Sequence, residues 1–263
     1  MSKTKVIILR TAGTNCDLET AHAFRMAGAD TVDLVHINKL FRKEAKLSDY
    51  SVIAIPGGFS YGDDISAGKV FANKLIYQLA ADIRGFVKAG KLIIGICNGF
   101  QVLVKTGLLE ADLGDDQSMT LSFNDSAKFE CRWINLRVNA DCESPWLKGL
   151  PEIIKLPVAH AEGKFIPKDE LITAQIVKNN RVAFQYCDED GNPGEYPVNP
   201  NGAAMDIAGV CDKTGRILGL MPHPERFVSK YQSALWTSEN EMQGEGHGLK
   251  IFRNAVNYIK ENL

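Results

Sequence analysis

Several features are missing from this 263-residue chain, and each absence removes a class of function. No apolar run approaches the roughly 18 residues of a membrane-spanning helix. No basic run or stripe occurs: 30 basic residues face 32 acidic ones, for a formal net charge of −2, so nucleic acid is not an expected partner. The six cysteines, at 16, 97, 131, 142, 187 and 211, form no C-x-x-C pair, so neither a zinc site nor a disulfide framework is signalled. The N-terminal MSKTKVIILRTAG leads directly into a strand pattern, without the apolar stretch and small-residue cleavage site of a signal peptide. With free thiols, this sets the expectation of a cytoplasmic protein. No internal repeat and no Pro-, Gly- or Ser-rich linker divides the chain, so one domain over 1–263 is expected.

What is present reads as α/β. Apolar residues make up 45% and charged residues 24%, enough for a sizeable core. KVIILRT (5–11), TVDLVHI (31–37), SVIAIP (51–56) and KLIIGIC (91–97) are short, continuously apolar strand patterns. LETAHAFRMAGA (18–29) and residues 69–88, with Phe71, Leu75, Leu79, Ile83 and Phe86, carry the helical period between them. Such alternation predicts a three-layer, flavodoxin-like domain around a mostly parallel sheet, with ligands at the strands' carboxyl ends. FECRWINLRV (129–138), EIIKLPVAH (152–160) and RVAFQY (181–186) lack intervening helices and predict antiparallel extensions of that sheet. AAMDIAGVC (203–211) and RILGLMP (216–222) follow, and LKIFRNAVNYIKENL (249–263) closes the chain as an amphipathic helix.

The chemistry concentrates where these patterns change. In KLIIGICNGFQVL (91–103) an apolar strand runs into Cys97 and then into Asn-Gly-Phe-Gln, a strand–turn–helix corner that holds Cys97 out as a nucleophile. A nucleophilic thiol needs a base, and the base an orienter. Of five histidines, His223 in GLMPHPER is the best base, because Glu225 lies two residues on in backbone kept extended by Pro222 and Pro224. IPGGFSYGDD (55–64) supplies a loop with adjacent glycines, whose Gly58 amide together with the Asn98 amide is expected to face an oxyanion. Each element also has a plainer reading, as a small buried cysteine, an ordinary turn or a structural histidine. Nucleophile, oxyanion donors, base and orienter in one architecture weigh against that plainer set.

P-G-G-F-S, then G-x-C-x-G-x-Q, then H-P-E in this order resemble the class I (triad) glutamine amidotransferases. GTNCD (13–17), CRW (131–133), AEGKF (161–165) and NPNG (199–202) extend the resemblance over nearly the whole chain, towards members serving purine biosynthesis. The resemblance implies that Cys97, His223 and Glu225 form the triad and that Gly58 and Asn98 line the oxyanion hole. It also implies that Gly57 and Gln101 meet the substrate, L-glutamine. It implies no cofactor or metal in this chain, with ATP and magnesium used by a synthetase partner that receives the ammonia. A small accessory subunit is a further expected partner. The chain departs from the family at GDDISAGK (62–69), where an aromatic and an arginine are common, and at His160-Ala161-Glu162-Gly163, where H-G-E-G is common.

Two other classes share parts of the pattern: a stand-alone cysteine hydrolase of the DJ-1/PfpI type, and a catalytically silent binding subunit. The former typically places His directly after the Cys, where this chain has Asn98. GDDISAGKV (62–70) resembles a phosphate-binding loop, but five residues rather than four separate its glycines and Val70 stands in the Ser/Thr position. His160 and Glu162 suggest a metal pair but lack a third spaced ligand, and are expected to be structural. Residues 228–246, with Tyr231 and Trp236, form a long aperiodic connection, expected to dock on the synthetase or to fold back as a local lid.

Overall fold

The computed structural model describes residues 3–110, 117–237 and 244–263. Its centre is a nine-stranded sheet in the order β2-β1-β3-β4-β11-β10-β9-β6-β7. The first five of these, β1 (Lys5–Arg10), β2 (Thr31–His36), β3 (Val52–Ile55), β4 (Leu92–Ile96) and β11 (Ile217–Leu220), are mutually parallel. The other four, β6 (Glu130–Val138), β7 (Ile153–His160), β9 (Val182–Cys187) and β10 (Ile207–Cys211), continue the sheet with antiparallel pairing.

Helix α1 (Asp17–Met26) packs with the closing helix α6 (Leu249–Asn262), joined by Phe24 and Phe252 at 4.9 Å in an edge-to-face contact. Both rings are fully buried, each contributing about 2–3 kcal/mol by removal from water. A second helical pair is formed by α3 (Lys69–Lys88) and α4 (Asn98–Thr106). The buried residues of α3 are Phe71, Ala72, Leu75, Leu79, Ile83 and Phe86, the stripe its periodicity predicts. α2 (Ile37–Phe41) is a single short turn capped by the His36 ring, which accepts from the Asn38 amide.

β4 is buried at every residue, as its unbroken Leu-Ile-Ile-Gly-Ile requires. The antiparallel edge strand β7 instead alternates, burying Ile154, Leu156, Val158 and His160. Pro157 stands on this edge strand, where a missing N–H is tolerated, and its carbonyl is taken by the His223 amide at 2.8 Å.

Three elements were not legible as such. β5 (Met119–Ser122) and β8 (Lys164–Pro167) pair in a small separate sheet, and α5 (Glu170–Lys178) follows, capped by Asp169. The small sheet packs on α4, with Phe165 stacked on Phe100 at 6.3 Å. Its strands are four residues each, too short for a pattern to stand out from loop. The phosphate-loop-like stretch 62–70 follows the 57–59 loop rather than a strand and leads into α3.

Candidate active site

β3, β4 and β11 deliver their carboxyl ends side by side, because β11 enters the sheet parallel to β4, its residues pairing with ones 124 positions earlier in sequence. Cys97 follows β4 directly. Its amide continues the ladder to Leu220 of β11 at 2.8 Å, while its carbonyl accepts from the Phe100 and Gln101 amides that open α4. One residue therefore serves a strand on one side and a helix on the other, and its backbone is forced to φ 51°, ψ −107°. A non-glycine residue in this conformation is strained, and the surrounding ladder and helix hold it there. The corner closes because position 99 is glycine: a Cβ there would stand 1.8 Å from the Ile55 carbonyl oxygen. The Cys97 thiol is nearly buried and reaches the Ala159 carbonyl of β7 at 3.7 Å.

His223 follows β11 and is pinned through its amide to β7. Its Nδ1 lies 2.7 Å from Glu225 Oε1, with both residues buried, so the carboxylate accepts the Nδ1 proton and leaves Nε2 as the working nitrogen. Burial alone would push this imidazole down, but the Glu225 charge, Cys97 and the nearby Cys16 together hold it well above its ordinary value. Cys97 acts on the ring without a well-formed hydrogen bond to Nε2, the loose geometry usual before substrate binds.

The Gly57–Gly58 loop, the expected oxyanion loop, lies against the elbow: a Cβ at position 57 would stand 3.4 Å from that of Cys97. Gly58 adopts φ +140°, and a Cβ there would meet the Gly13 carbonyl at 2.6 Å. The Gly57 carbonyl accepts from the Asn15 and Cys16 amides at 3.3 and 3.2 Å, tying this loop to the segment after β1. Asn98 opens α4, so its amide lies outside the helix's own hydrogen-bond ladder. Its side chain is a brace: Oδ1 accepts from the Ser60 amide, and Nδ2 donates to Asp63 and to Gln101 Oε1. Gln101 Nε2 donates to the Glu162 carbonyl at 2.7 Å. Asn98 and Gln101 thus lock the 57–63 segment, the elbow helix and the turn after β7 to one another. Burial, then the charge of Glu162, pushes the Asp63 carboxyl up.

These residues surround a cavity of about 130 Å³, whose walls include Gly58, Cys97, Gln101, His160, Glu162 and His223. At ~30 Å³ per water that is room for roughly four waters, or one small side chain. A larger cleft of about 820 Å³ lies elsewhere, along 137–152 and Arg216. Arg216 precedes β11 whereas His223 follows it, so that cleft is at the other end of the sheet from Cys97.

Three further side chains stand beside Cys97, His223 and Glu225; sequence reasoning passes over Cys16 and Arg226 and treats His160 as a strand-end structural residue. Cys16 Sγ stands 4.0 Å from His223 Nδ1, donates to Asn15 Oδ1 and accepts from Arg226 Nη2 at 3.0 Å. Burial pushes its thiol up, so it is a neutral neighbour of the imidazole. Cys16, His223 and Glu225 bring three potential metal-ligating atoms within 4.8 Å of one another. In this arrangement His223 Nδ1 is hydrogen-bonded to Glu225, and Cys16 Sγ to Asn15 and Arg226, so these groups orient the imidazole. His160 is the third neighbour, on the cavity wall. Cys16 and Arg226 sit within GTNCD and HPER, but nothing local to those motifs says that 210 residues of separation close to contact.

Residues 238–243 of the aperiodic connection lie outside the described residues. Before them, Tyr231 and Trp236 pack edge-to-face on each other at 5.5 Å and stay 65% and 47% exposed, so they are not folded into the core.

The CobB/CobQ-like glutamine amidotransferase domain matches residues 3–259. The subunit PurQ of phosphoribosylformylglycinamidine synthase from Dehalococcoides mccartyi is 49% identical over 262 residues, covering 99% of this chain and all of that one. Its counterpart from Methanococcus maripaludis is 45% identical over 271 residues, covering 98% of each. Among solved structures, a chain of PurLQS from Thermotoga maritima superposes with a TM-score of 0.73 at 32% identity, covering 98% of this chain and all of that one. A glutamine amidotransferase from the same organism, at 16% identity and a TM-score of 0.58, shares the fold.

Proposed function

The chain belongs to the CobB/CobQ-like glutamine amidotransferase family, and on that premise we propose that it is the glutaminase subunit of a phosphoribosylformylglycinamidine synthase. It hydrolyses the side-chain amide of glutamine and hands the ammonia to a synthetase that makes formylglycinamidine ribonucleotide in purine biosynthesis. The observation that carries the chemistry is Cys97 on a strained strand–helix corner beside a buried His223–Glu225 pair 2.7 Å apart.

With the Cys97 proton held on His223 Nε2, as the raised proton affinity of that imidazole favours, Sγ attacks the carboxamide carbon as a thiolate. The carbonyl oxygen takes up negative charge between the Gly58 and Asn98 amides. As the tetrahedral intermediate collapses, the C–N bond breaks, the imidazolium returns its proton to nitrogen, and ammonia leaves a glutamyl thioester. His223 then deprotonates a water that attacks the thioester; the C–S bond breaks and glutamate is released. Glu225 stabilises the imidazolium in both halves, which matches the upward shift of His223.

Ammonia released into bulk water at neutral pH becomes ammonium and is lost as a nucleophile, so the product requires a partner at the cavity mouth. ATP and magnesium belong to that synthetase, and a small accessory subunit completes the assembly. The exposed Tyr231–Trp236 pair is a contact surface for the synthetase. The reading is tested by co-purifying the chain with its synthetase and treating it with a glutamine analogue bearing an electrophile. Labelling is expected at Cys97, with loss of glutamine-dependent but not ammonium-dependent synthesis; labelling elsewhere, or none, would overturn it.

A further inference from the structure

His160 is 3% exposed, ends β7 and lines the catalytic cavity beside Cys97 and His223, yet the mechanism above leaves it without a task. Its protonation pattern follows from its neighbours. Asn124 Nδ2 lies 2.9 Å from two carbonyl oxygens, those of Lys128 and His160, which can only accept. Asn124 Oδ1 receives the Gly163 N–H at 3.1 Å, so that end is an acceptor. His160 Nδ1 lies 3.1 Å from this same oxygen and must therefore carry the proton. Burial, then the positive charges of His223 and Arg132, pushes the ring down to about 3, so it stays neutral at working pH. A neutral ring with its proton on Nδ1 presents a bare lone pair at Nε2. That nitrogen is buried and has no hydrogen-bond partner among the described residues, a condition that costs stability unless something else fills it.

Asn124 holds the Nδ1 edge of the ring, and the ring stands in the wall of the cavity it shares with Cys97 and His223. We infer that His160 Nε2 accepts a hydrogen bond from the carboxamide N–H of bound glutamine and is a residue by which the site tells glutamine from glutamate. The carboxamide nitrogen offers two N–H donors while the oxyanion amides hold its oxygen. An acceptor that cannot become a donor fixes which end of the amide faces which wall. Glutamate, as a carboxylate, brings only lone pairs to the same nitrogen. It binds weakly, which favours its release after thioester hydrolysis. This inference rests on glutamine being the substrate.

The test uses the chain assembled with its synthetase and measures KM for glutamine and the competitive inhibition constant of glutamate. His160→Asn keeps a donor to Asn124 but has nothing at the place of Nε2; His160→Gln reaches that place with a carboxamide oxygen. His160→Asn is expected to raise KM about tenfold or more and to lower the ratio of glutamate inhibition constant to glutamine KM by a similar factor. His160→Gln is expected to recover most of both. Values within twofold of wild type in both variants, or equal losses in both with an unchanged ratio, would make His160 a packing residue and overturn the inference. Should the variants fail to fold, the ¹⁵N resonances of the unsubstituted, histidine-labelled chain in the complex decide. Nε2 of His160 is expected to resonate as an unprotonated nitrogen, and a protonated one would sink the idea. Wild-type turnover of glutamine is the separate control on substrate identity: without it the function fails, whereas with it and an unmoved ratio only the role of His160 fails.

Discussion

The parallel and antiparallel halves of the sheet divide the labour unequally. β3, β4 and β11 carry the Gly57–Gly58 loop, Cys97 and His223 on their carboxyl ends, each as a short segment beyond a buried apolar run. The antiparallel half contributes no part of the triad but forms the opposing wall. Its edge strand β7 takes the His223 amide on Pro157, approaches the Cys97 thiol with Ala159, and ends on His160. On the proposed mechanism the parallel half supplies the reactive groups, and the antiparallel half supplies the wall that faces them. Separate substitutions can dissect these contributions.

The largest expected effect belongs to the parallel half alone. Cys97→Ser should abolish glutamine-dependent synthesis, a loss of about 10⁴-fold or more, while ammonium-dependent synthesis by the complex and the subunit's thermal midpoint stay near wild type. Appreciable glutamine turnover by this variant would remove Cys97 from the mechanism. Within the same half, Glu225→Gln should retain roughly 10–100 times more activity than His223→Ala, because it removes orientation and charge support but not the base. Steady-state rates for the two variants would settle the ranking, and equal residual activity would contradict it.

The next effect reads the antiparallel half. The unfolded His160 titrates near its ordinary 6.5, whereas burial, then the positive His223 and Arg132, holds the native ring, flanked by Glu130 and Glu162, to about 3. Between those values the unfolded chain binds a proton that the native one does not, so stability rises with pH there and falls on acidification. The slope from this group is about 1.4 kcal/mol per pH unit at most, so about 2–3 kcal/mol should be lost between pH 6 and pH 4. Urea titrations of wild type and His160→Asn should show the variant with the flatter acid limb; parallel curves would mean that the ring is not buried neutral.

The smallest effect lies outside both halves. Trp236→Ala should weaken association with the synthetase by about 1–2 kcal/mol and leave the thermal midpoint of the free subunit almost unmoved, since the ring packs on exposed Tyr231 rather than on the core. A titration with unchanged affinity would return this aromatic pair to ordinary surface.

The two halves also differed in how much could be read before folding. A strand buried on both faces writes itself as an unbroken apolar run, so β1, β3 and β4 were legible. So was the pairing of His223 with Glu225, because a two-residue spacing in extended backbone is a local matter. β7 was legible as a strand, but its position against the site was not, because that follows from pairing with β6 across a register that no local pattern states. Cys16 and Arg226 were quoted as parts of motifs without any reason for their chemistry.

From sequence alone, then, the α/β class, the strand–turn–helix pattern at Cys97, the pairing of His223 with Glu225 and the glycine-rich loop were legible, since each is written in a short run of neighbouring residues. Only the tertiary structure decided which strands became neighbours, that β11 would slot in parallel beside β4, and that Asn98 and Gln101 would tie three loops together. It also decided the proton on His160. That choice is made by Asn124, 36 residues away, and by two carbonyls that saturate the other end of the same amide. A hydrogen-bond donor is assigned by what surrounds it, and in this chain those surroundings exist only once distant strands have met.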